Sequence, residues 1–343
     1  MVSLPINLAN YIKKENPFFL APMAGVTDHP FRCFMKEMGC GIITTELISV
    51  RALENHNNKT QQLMKYDKIQ RPLGIQIFGE DPEKFKTAVQ KLEEEYQPDF
   101  IDLNLGCPVN KIVKKGAGSA LLKDLNSLSK ILNTMRKNCS LPLSLKIRTG
   151  WDEKNLNADQ VAHLAYNEGF SWMTIHGRTR AQAYSGKADW NYIKKIKETS
   201  PLPIIGNGDI TSALKAQEAL KFSQCDGIMI GRGCLNNPWI FLESLNKLQK
   251  KDDKINKDYL SIILKLKVHL ENFYDERVFL LQMKKFAAWF SAGFPDSTEF
   301  RKNLFLEKDS KQVMQKIEDY FINYKDFEKK EPEYEPFLMQ GHG

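Results

Sequence analysis

In DFIDLNLGCPVNKIVKKGAGSALL, residues 99–122, a short apolar strand at 100–105 runs into Gly106-Cys107-Pro108. A loop with three lysines (Lys111, Lys114 and Lys115) and two glycines follows, and then a helix start. A strand end that bears a thiol and opens into a basic loop is the way a parallel α/β protein presents chemistry. Gly106 permits close approach of the backbone, and Pro108 removes an N–H and holds the turn. Cys107 is therefore either a reactive group at a strand end or a small buried hydrophobe, as free cysteines commonly are.

The same strand-then-helix rhythm extends in both directions. FFLAPM (residues 18–23) is an apolar run closed by Pro22 and Gly25, and Thr27 or Asp28 can cap the helix that Pro30 opens. Residues 42–48 read as a second strand and LGIQIF (73–78) as a third, followed by Asp81-Pro82-Glu83, an N-cap with proline at the first helical position. Residues 100–105 are the fourth strand and 143–147 the fifth, after which Asn157 caps a helix with Val161, Leu164 and Ala165 on one face. WMTIH (172–176), PIIG (203–206) and 228–230 complete eight. The runs read as apolar rather than alternating, as in a parallel sheet buried on both faces. Eight strands, with no GxGxxG turn after the first, predict a closed (βα)8 TIM barrel rather than an open doubly wound sheet.

The alternation stops near residue 245. NKLQKKDDKINKD is a charged linker without an apolar face. Beyond it Tyr259, Ile262, Ile263, Leu266, Leu270 and Phe273 recur at helical spacing, as do Phe279, Met283, Phe286, Ala287 and Phe290, and then Val313, Ile317, Tyr320 and Phe321. The expected organisation is a catalytic barrel at 1–245, a linker at 246–257, an appended C-terminal helical-bundle domain at 258–326 and a loose tail at 327–343.

Length, composition and charge narrow the class. The 343 residues, 42% hydrophobic and 27% charged, suit an ordinary globular protein of one large and one smaller domain. No apolar run approaches the roughly 20 residues that cross a bilayer, and the N-terminus lacks a basic start followed by an apolar core. A cytoplasmic protein with no membrane partner is expected. Its six cysteines are scattered, with no CxxC pair and no histidine at metal spacing, so reduced thiols without a metal are expected. A net charge of +7 permits a polyanionic partner without requiring one.

In a barrel of this kind the active site lies where the strands end. The candidate residues there are Pro22-Met23-Ala24, a small-residue shelf on which something flat can lie, then Gln76, Asn104, Cys107, Lys146, Arg148 and His176. Asn207-Gly208-Asp209 and Gly231-Arg232-Gly233 follow strands seven and eight, the usual phosphate cradle of the fold, and Arg232 can add charge-assisted bonds. Tight turns alone also explain these glycines. Lys146 inside an apolar strand calls for an anionic partner, whether a ligand or a neighbouring carboxylate. The set suits a flat, phosphorylated cofactor, a description that FMN meets.

APMAGVTD, LNLGCP with its downstream GAGSALL, KIRTGW, TIHGRTR, NGDI and MIGRG stand in order over roughly residues 15–325. In that order and spacing the chain resembles the tRNA-dihydrouridine synthases, the bacterial B-type branch in particular. The resemblance implies an FMN-containing barrel with an appended helical domain that reduces selected uridines of tRNA with NADPH, NADH being the alternative reductant. Carried over motif by motif, it implies Pro22, Met23 and Ala24 lining the flavin, and Gln76, Lys146 and His176 on its ring and ribityl chain. It implies Asn207, Gly208, Asp209, Gly231 and Arg232 at its phosphate, and Cys107 as the catalytic acid.

The substrate side follows from the same source, with Asn104, Arg178 and Arg180 near the target uracil. Lys111 in the loop beside Cys107, and Lys284 and Lys285 in the helical domain, stand where RNA phosphates would pass, interleaved there with Phe286, Trp289 and Phe305. Two positions depart from the family's pattern: Lys284-Lys285-Phe286 stands where Arg-Lys-His is typical, and Val-Asn-Lys follows the Cys107 turn where Ala-Lys-Lys is common. Hydride delivered to C6 of uracil leaves charge to be quenched at C5, so Cys107 must act as a thiol. Two other readings remain, a flavin-dependent oxidoreductase of a small pyrimidine and a non-catalytic RNA-binding barrel. No protein partner is implied.

Overall fold

The computed structural model describes residues 11–12, 15–54, 58–251 and 254–329. Its strands are β1 (Phe18–Leu20), β2 (Ile42–Thr44), β3 (Ile48–Ser49), β4 (Leu73–Phe78), β5 (Phe100–Leu105), β6 (Leu143–Arg148), β7 (Trp172–His176), β8 (Ile204–Asn207) and β9 (Gly227–Ile230). All pair in parallel, from β4 through to β9, on to β1 and β2, and β2 pairs again with β4. That last pairing closes the sheet into the expected eight-membered barrel. The second barrel strand is shorter than predicted: it stops at Thr44 and resumes as β3 beside the end of β4. The first ends at Leu20, so Pro22-Met23-Ala24 belongs to the loop above it.

The strands alternate more than their apolar look suggests. Leu103, Leu105, Leu145, Ile147, Met173 and Ile175 join the outer core under the helices. Phe19, Ile42, Phe100, Trp172, Ile205 and Met229 form a separate cluster inside the barrel. On β5 and β6 the intervening positions are polar, Asp102 and Asn104 against Ser144 and Lys146. This reverses the surface-strand rule: aliphatic side chains face the helices and polar ones face the barrel axis, above an apolar floor. Chemistry is thereby gathered at one end of the barrel.

The longer helices are α1 (His29–Glu37), α2 (Pro82–Lys91), α3 (Leu125–Lys137), α4 (Ala158–Asn167), α5 (Trp190–Thr199), α6 (Ala213–Ser223), α7 (Ile240–Leu248), α8 (Tyr259–Glu271), α9 (Glu276–Phe290), α10 (Ser297–Leu306) and α11 (Ser310–Asn323). Asp28 caps α1, accepting from Phe31 N at 3.0 Å, and Asp81 caps α2. Asn157 precedes α4 as expected but does not cap it; its amide donates instead to Leu122 O at 2.6 Å. Helix α7 runs through the first three residues of the expected linker, to Leu248.

Helices α8 to α11 bury the stripes read from the sequence, apart from Phe273, which is half-buried. They dock on α1: Phe31 stacks on Phe286 at 4.9 Å, Phe273 meets His29 edge-on, and Glu37 pairs with Lys265 and His269. In the expected loose tail Phe327 and Glu328 are exposed, but the next residue is held. Lys329 donates to Asn236 O and Phe290 O and lies over the rings of Tyr259 and Phe294. Residues 330–343 of that tail lie outside the described residues. Among the described residues no helix is long and apolar enough to cross a membrane.

Candidate active site

A cavity of about 550 Å³ opens at the C-terminal ends of the strands. Its wall brings together Pro22, Met23 and Ala24 from the loop after β1, Asn104 and Cys107 from β5 and its turn, Lys146 from β6 and His176 from β7. Arg180, Asn207, Gly208, Gly231 and Arg232 complete the predicted residues found there. Arg148 joins them, so among the described residues four cationic side chains line the cavity and no carboxylate does.

Burial and mutual repulsion set the charge states. Lys146 has its pKa lowered to about 8, chiefly by burial and then by Arg148, with Asp102 acting in the opposite sense. Its ammonium donates to Asn207 Oδ1 at 3.3 Å. Burial, then Arg148, Lys146, Arg178 and Arg232, hold His176 well below its ordinary value, so the imidazole is neutral. Arg178 Nη1 approaches His176 Nε2 at 3.3 Å, which makes that nitrogen the acceptor and leaves the ring proton on Nδ1.

Cys107 is buried and its thiol is pushed up, mainly by burial, against the opposing pull of Val109 N–H, Arg148 and Lys146. It is a protonated thiol at neutral pH. The turn that carries it is held on every side. Asn104 Oδ1 accepts from Gly106 N (3.2 Å) and Cys107 N (3.0 Å), Arg148 Nε donates to Gly106 O (2.8 Å), and Ser119 Oγ donates to Cys107 O (2.8 Å). Beyond the turn, Arg180 donates to Asn110 Oδ1 at 2.8 Å and lies over Trp151, which also carries Lys123.

Six predicted residues stand outside the cavity wall. Gln76 is fully buried beneath it, bonded to Asp102 and Asn104. Arg178 is buried in the loop after β7, donating to Ser185 O and Gly186 O and pairing with Asp209 at 2.7 Å. Asp209, in the left-handed region at φ 57°, also accepts from Ala188 N. These two brace the loop after β7 against the loop after β8. Lys111 is exposed on the short helix Asn110–Val113 at the rim. Lys284 turns to Glu307 O, and Lys285 reaches from α9 to Gly25 O at 2.7 Å, tying the helical region to the Met23-Ala24 loop. Phe286 and Trp289 are buried, so of the three aromatics expected between those cations only Phe305 is exposed.

Two features of the wall were assigned no role from sequence. Arg148 was legible as a strand-end residue, since period-two spacing puts it on the face of Lys146. Tyr184, lying under both Arg148 and Arg232 at 5.6 and 5.1 Å, is a loop residue with no local signal.

The lining suits a flat, phosphorylated ligand. A cavity of this size suits a cofactor, and among the described residues its wall offers cations and amides without a carboxylate to repel phosphate. Arg180 Nε is buried with no acceptor among the described residues. A Cβ at Gly231 would stand against Ala21 and Met23, on the floor beside the shelf. Gly208, at φ 130°, passes so close to Ala188 and His176 that a side chain there would displace one of them.

A second cluster lies away from the mouth. His29, Cys33 and Asp67 place ligand-type atoms within 4.8 Å of one another, the first two spaced i, i+4 on α1, contrary to the expectation of no histidine at such spacing. Gln70 Nε2 donates to both His29 Nδ1 (2.8 Å) and Cys33 Sγ (3.0 Å). Burial, with Arg32 and Lys65 nearby, lowers His29 to about 3. An amide donor and two cations fit a neutral hydrogen-bond node, not a cation site.

Comparison with known proteins agrees with the barrel and its motifs. A family model, Dihydrouridine synthase (Dus), matches residues 19–325. The tRNA-dihydrouridine synthase B of Pasteurella multocida (strain Pm70) is 38% identical over 311 residues, covering 90% of this chain and 93% of that protein. A probable tRNA-dihydrouridine synthase of Rickettsia bellii (strain RML369-C) is 36% identical over 318 residues, covering 91% and 97%. Among solved structures, histamine dehydrogenase from Rhizobium sp. 4-9 is similar over 77% of this chain and 51% of its own, with a TM-score of 0.51 and 14% identity. That likeness concerns the barrel fold alone.

Proposed function

The chain belongs to the dihydrouridine synthase family, in its bacterial B-type branch, and from that premise we propose that it reduces the C5–C6 double bond of uridines in tRNA with FMN as cofactor and NADPH as reductant. The observation that carries this reading is the cationic cavity at the barrel mouth, lined by no carboxylate among the described residues, with the Cys107 turn on its rim. A bound flavin would supply hydride for C6 of the uracil, with NADPH as the source of its electrons.

The protein's own groups do the rest. The Met23-Ala24 shelf and neutral His176 border the ring, while Lys146 beside Asn207, with Gly208, Gly231 and Arg232, meets the ribityl and phosphate portion. Gln76 acts from below, through Asn104, and Asp209 with Arg178 holds the loops that shape the cradle. Cys107 Sγ gives its proton to C5, a role that its raised pKa supports because a thiolate could not perform it. Asn104 and Arg180 stand on the same wall, placed to receive a uracil that has left the tRNA stack. The exposed Lys111, Lys114 and Lys115 take the RNA backbone at the rim. We further propose that the barrel at 1–245 and the helical region at 258–326 act as separate catalytic and tRNA-binding units in the cytoplasm.

The test is direct. The purified protein is expected to be yellow, to convert uridine to dihydrouridine in tRNA from cells lacking it, and to leave free uracil and orotate untouched. Turnover of either free base at a rate comparable to tRNA would transfer the assignment to a small-pyrimidine oxidoreductase. A colourless protein that cannot be loaded with FMN would leave an RNA-binding barrel.

A further inference from the structure

The polar side chains beneath the cavity form a chain with a single direction. Asp102 on β5 is enclosed between β4 and β6, its two oxygens accepting Gln76 Nε2 at 2.7 Å and Ser144 Oγ at 2.6 Å. Burial raises the Asp102 pKa to about 6, so at neutral pH and above the carboxylate is ionised and only accepts, and Gln76 must turn its nitrogen down to Asp102 and its oxygen up. Asn104 meets that oxygen with its own nitrogen at 2.8 Å, which leaves Asn104 Oδ1 to receive Gly106 N and Cys107 N. Each amide has two orientations that exchange oxygen for nitrogen. Reversing Gln76 would face its nitrogen to that of Asn104, and reversing both would set an NH₂ group against the two backbone N–H groups of the turn.

We propose that Asp102 is a positioning residue for Cys107, selecting through Gln76 and Asn104 the amide orientation that holds the Gly106-Cys107 turn and its thiol at the cavity rim. The chemical purpose of this role rests on the reading of Cys107 as proton donor. The carbonyl side of the turn is held independently, by Arg148 on Gly106 O and Ser119 on Cys107 O, so loss of the chain shifts the turn without releasing it. Asp102 stands one layer below Asn104 and Lys146 in the strand register and outside the cavity wall. Asp102 also acts by charge on Lys146, and through it on the thiol; the alanine and asparagine variants both remove that charge, so the difference between them reads the path through the two amides.

The experiment compares Asp102→Ala with Asp102→Asn. The rate at which iodoacetamide alkylates Cys107 in the purified protein is read by peptide mass spectrometry, with the other five cysteines as internal controls. Asp102→Ala removes the acceptor and is expected to change Cys107 labelling by about tenfold, the scale of one buried polar group losing its partner. Asp102→Asn keeps an oxygen for Gln76 and turns its nitrogen to Ser144 Oγ, so labelling is expected to stay within about twofold of the parent. Reoxidation of the reduced protein by tRNA should follow the same order. Gln76→Met severs the chain one link nearer the thiol and should match Asp102→Ala, which keeps the proposal testable if the alanine variant does not fold.

Unchanged Cys107 labelling on loss of the acceptor, or equal change in the alanine and asparagine variants, overturns the proposal. Labelling reports the pose of the thiol whatever its chemistry. Labelling that shifts as expected, together with an active Cys107→Ala variant, would remove the proton-donor reading and leave the positioning in place. Unchanged labelling with an inactive Cys107→Ala variant would remove the positioning alone.

Discussion

Lys111, Lys114 and Lys115 leave the barrel rim for solvent, whereas Lys284 and Lys285 turn back onto carbonyls of their own chain, Glu307 O and Gly25 O. Both groups are lysines beside apolar residues, and from sequence both are candidates for RNA phosphate. Their surroundings separate them. The rim lysines sit on and just after a four-residue helix with no buried residue. Lys284 and Lys285 flank the buried stripe of Met283, Phe286 and Phe290 on α9, where the neighbouring backbone offers acceptors first. Burial also lowers the pKa of Lys285, while Asp28 and Glu46 act to keep its charge. A lysine next to a packed face is thus a strut as readily as a ligand-binding group, and its partner is decided by geometry.

The comparison can be broken or sharpened in order of effect. The rim itself stands or falls with its thiol. Cys107→Ala is expected to keep flavin and NADPH oxidation while single-turnover dihydrouridine formation drops by about 10²–10⁴, the range for a lost general acid. Product formation near the parent rate would separate the rim from the chemistry. For the two lysine groups, replacing Lys111, Lys114 and Lys115 together by alanine should weaken tRNA binding and flatten its dependence on log salt by about 2–3, near one per phosphate contact. Lys285→Ala should instead leave that slope alone and cost about 1–3 kcal/mol in stability, read by denaturant unfolding. Interchanged results would show that Lys285, not the rim lysines, meets RNA.

The smallest effect concerns pH. Lys146 ionises at about 8 in the folded protein against 10.5 in the open chain, with burial as the main cause. Between those values the unfolded chain binds more protons, so this group's burial penalty eases and its contribution to stability rises as pH goes from about 8 to 10.5. Ligand binding moves the other way, because the ammonium that would face the cofactor's anionic end is lost. The apoprotein's affinity for FMN is expected to fall by a few-fold above about pH 8. That slope should disappear in Lys146→Met; its survival would assign the dependence to another group.

Much of this was legible along the chain because it depends on short-range rules. Asp28 and Asp81 cap their helices where a proline follows at the helix start, and the stripes of α8, α9 and α11 are buried as their spacing requires. The strand ends were legible because a closed parallel barrel brings every one of them to the same face. Asn157 was not, since a cap needs its amide oxygen to accept from the helix while Leu122 O takes its amide nitrogen, and only the packed loop sets which way the side chain turns. Gln76 was placed correctly on its strand, but the depth of that layer beneath the cavity cannot be read from β4 by itself.

By itself the sequence determined the barrel, its family, the order of the strand-end motifs and a thiol between a glycine and a proline, all of which follow from local periodicity and residue type. Only the tertiary structure decided which polar groups share an environment. It set Asp102, Gln76 and Asn104 in line under Cys107, drew Tyr184 between two arginines, and turned Lys285 from solvent to Gly25. The physical reason is that hydrogen bonds and charges act over a few ångströms in space, between residues that lie anywhere from one to 260 positions apart in the chain.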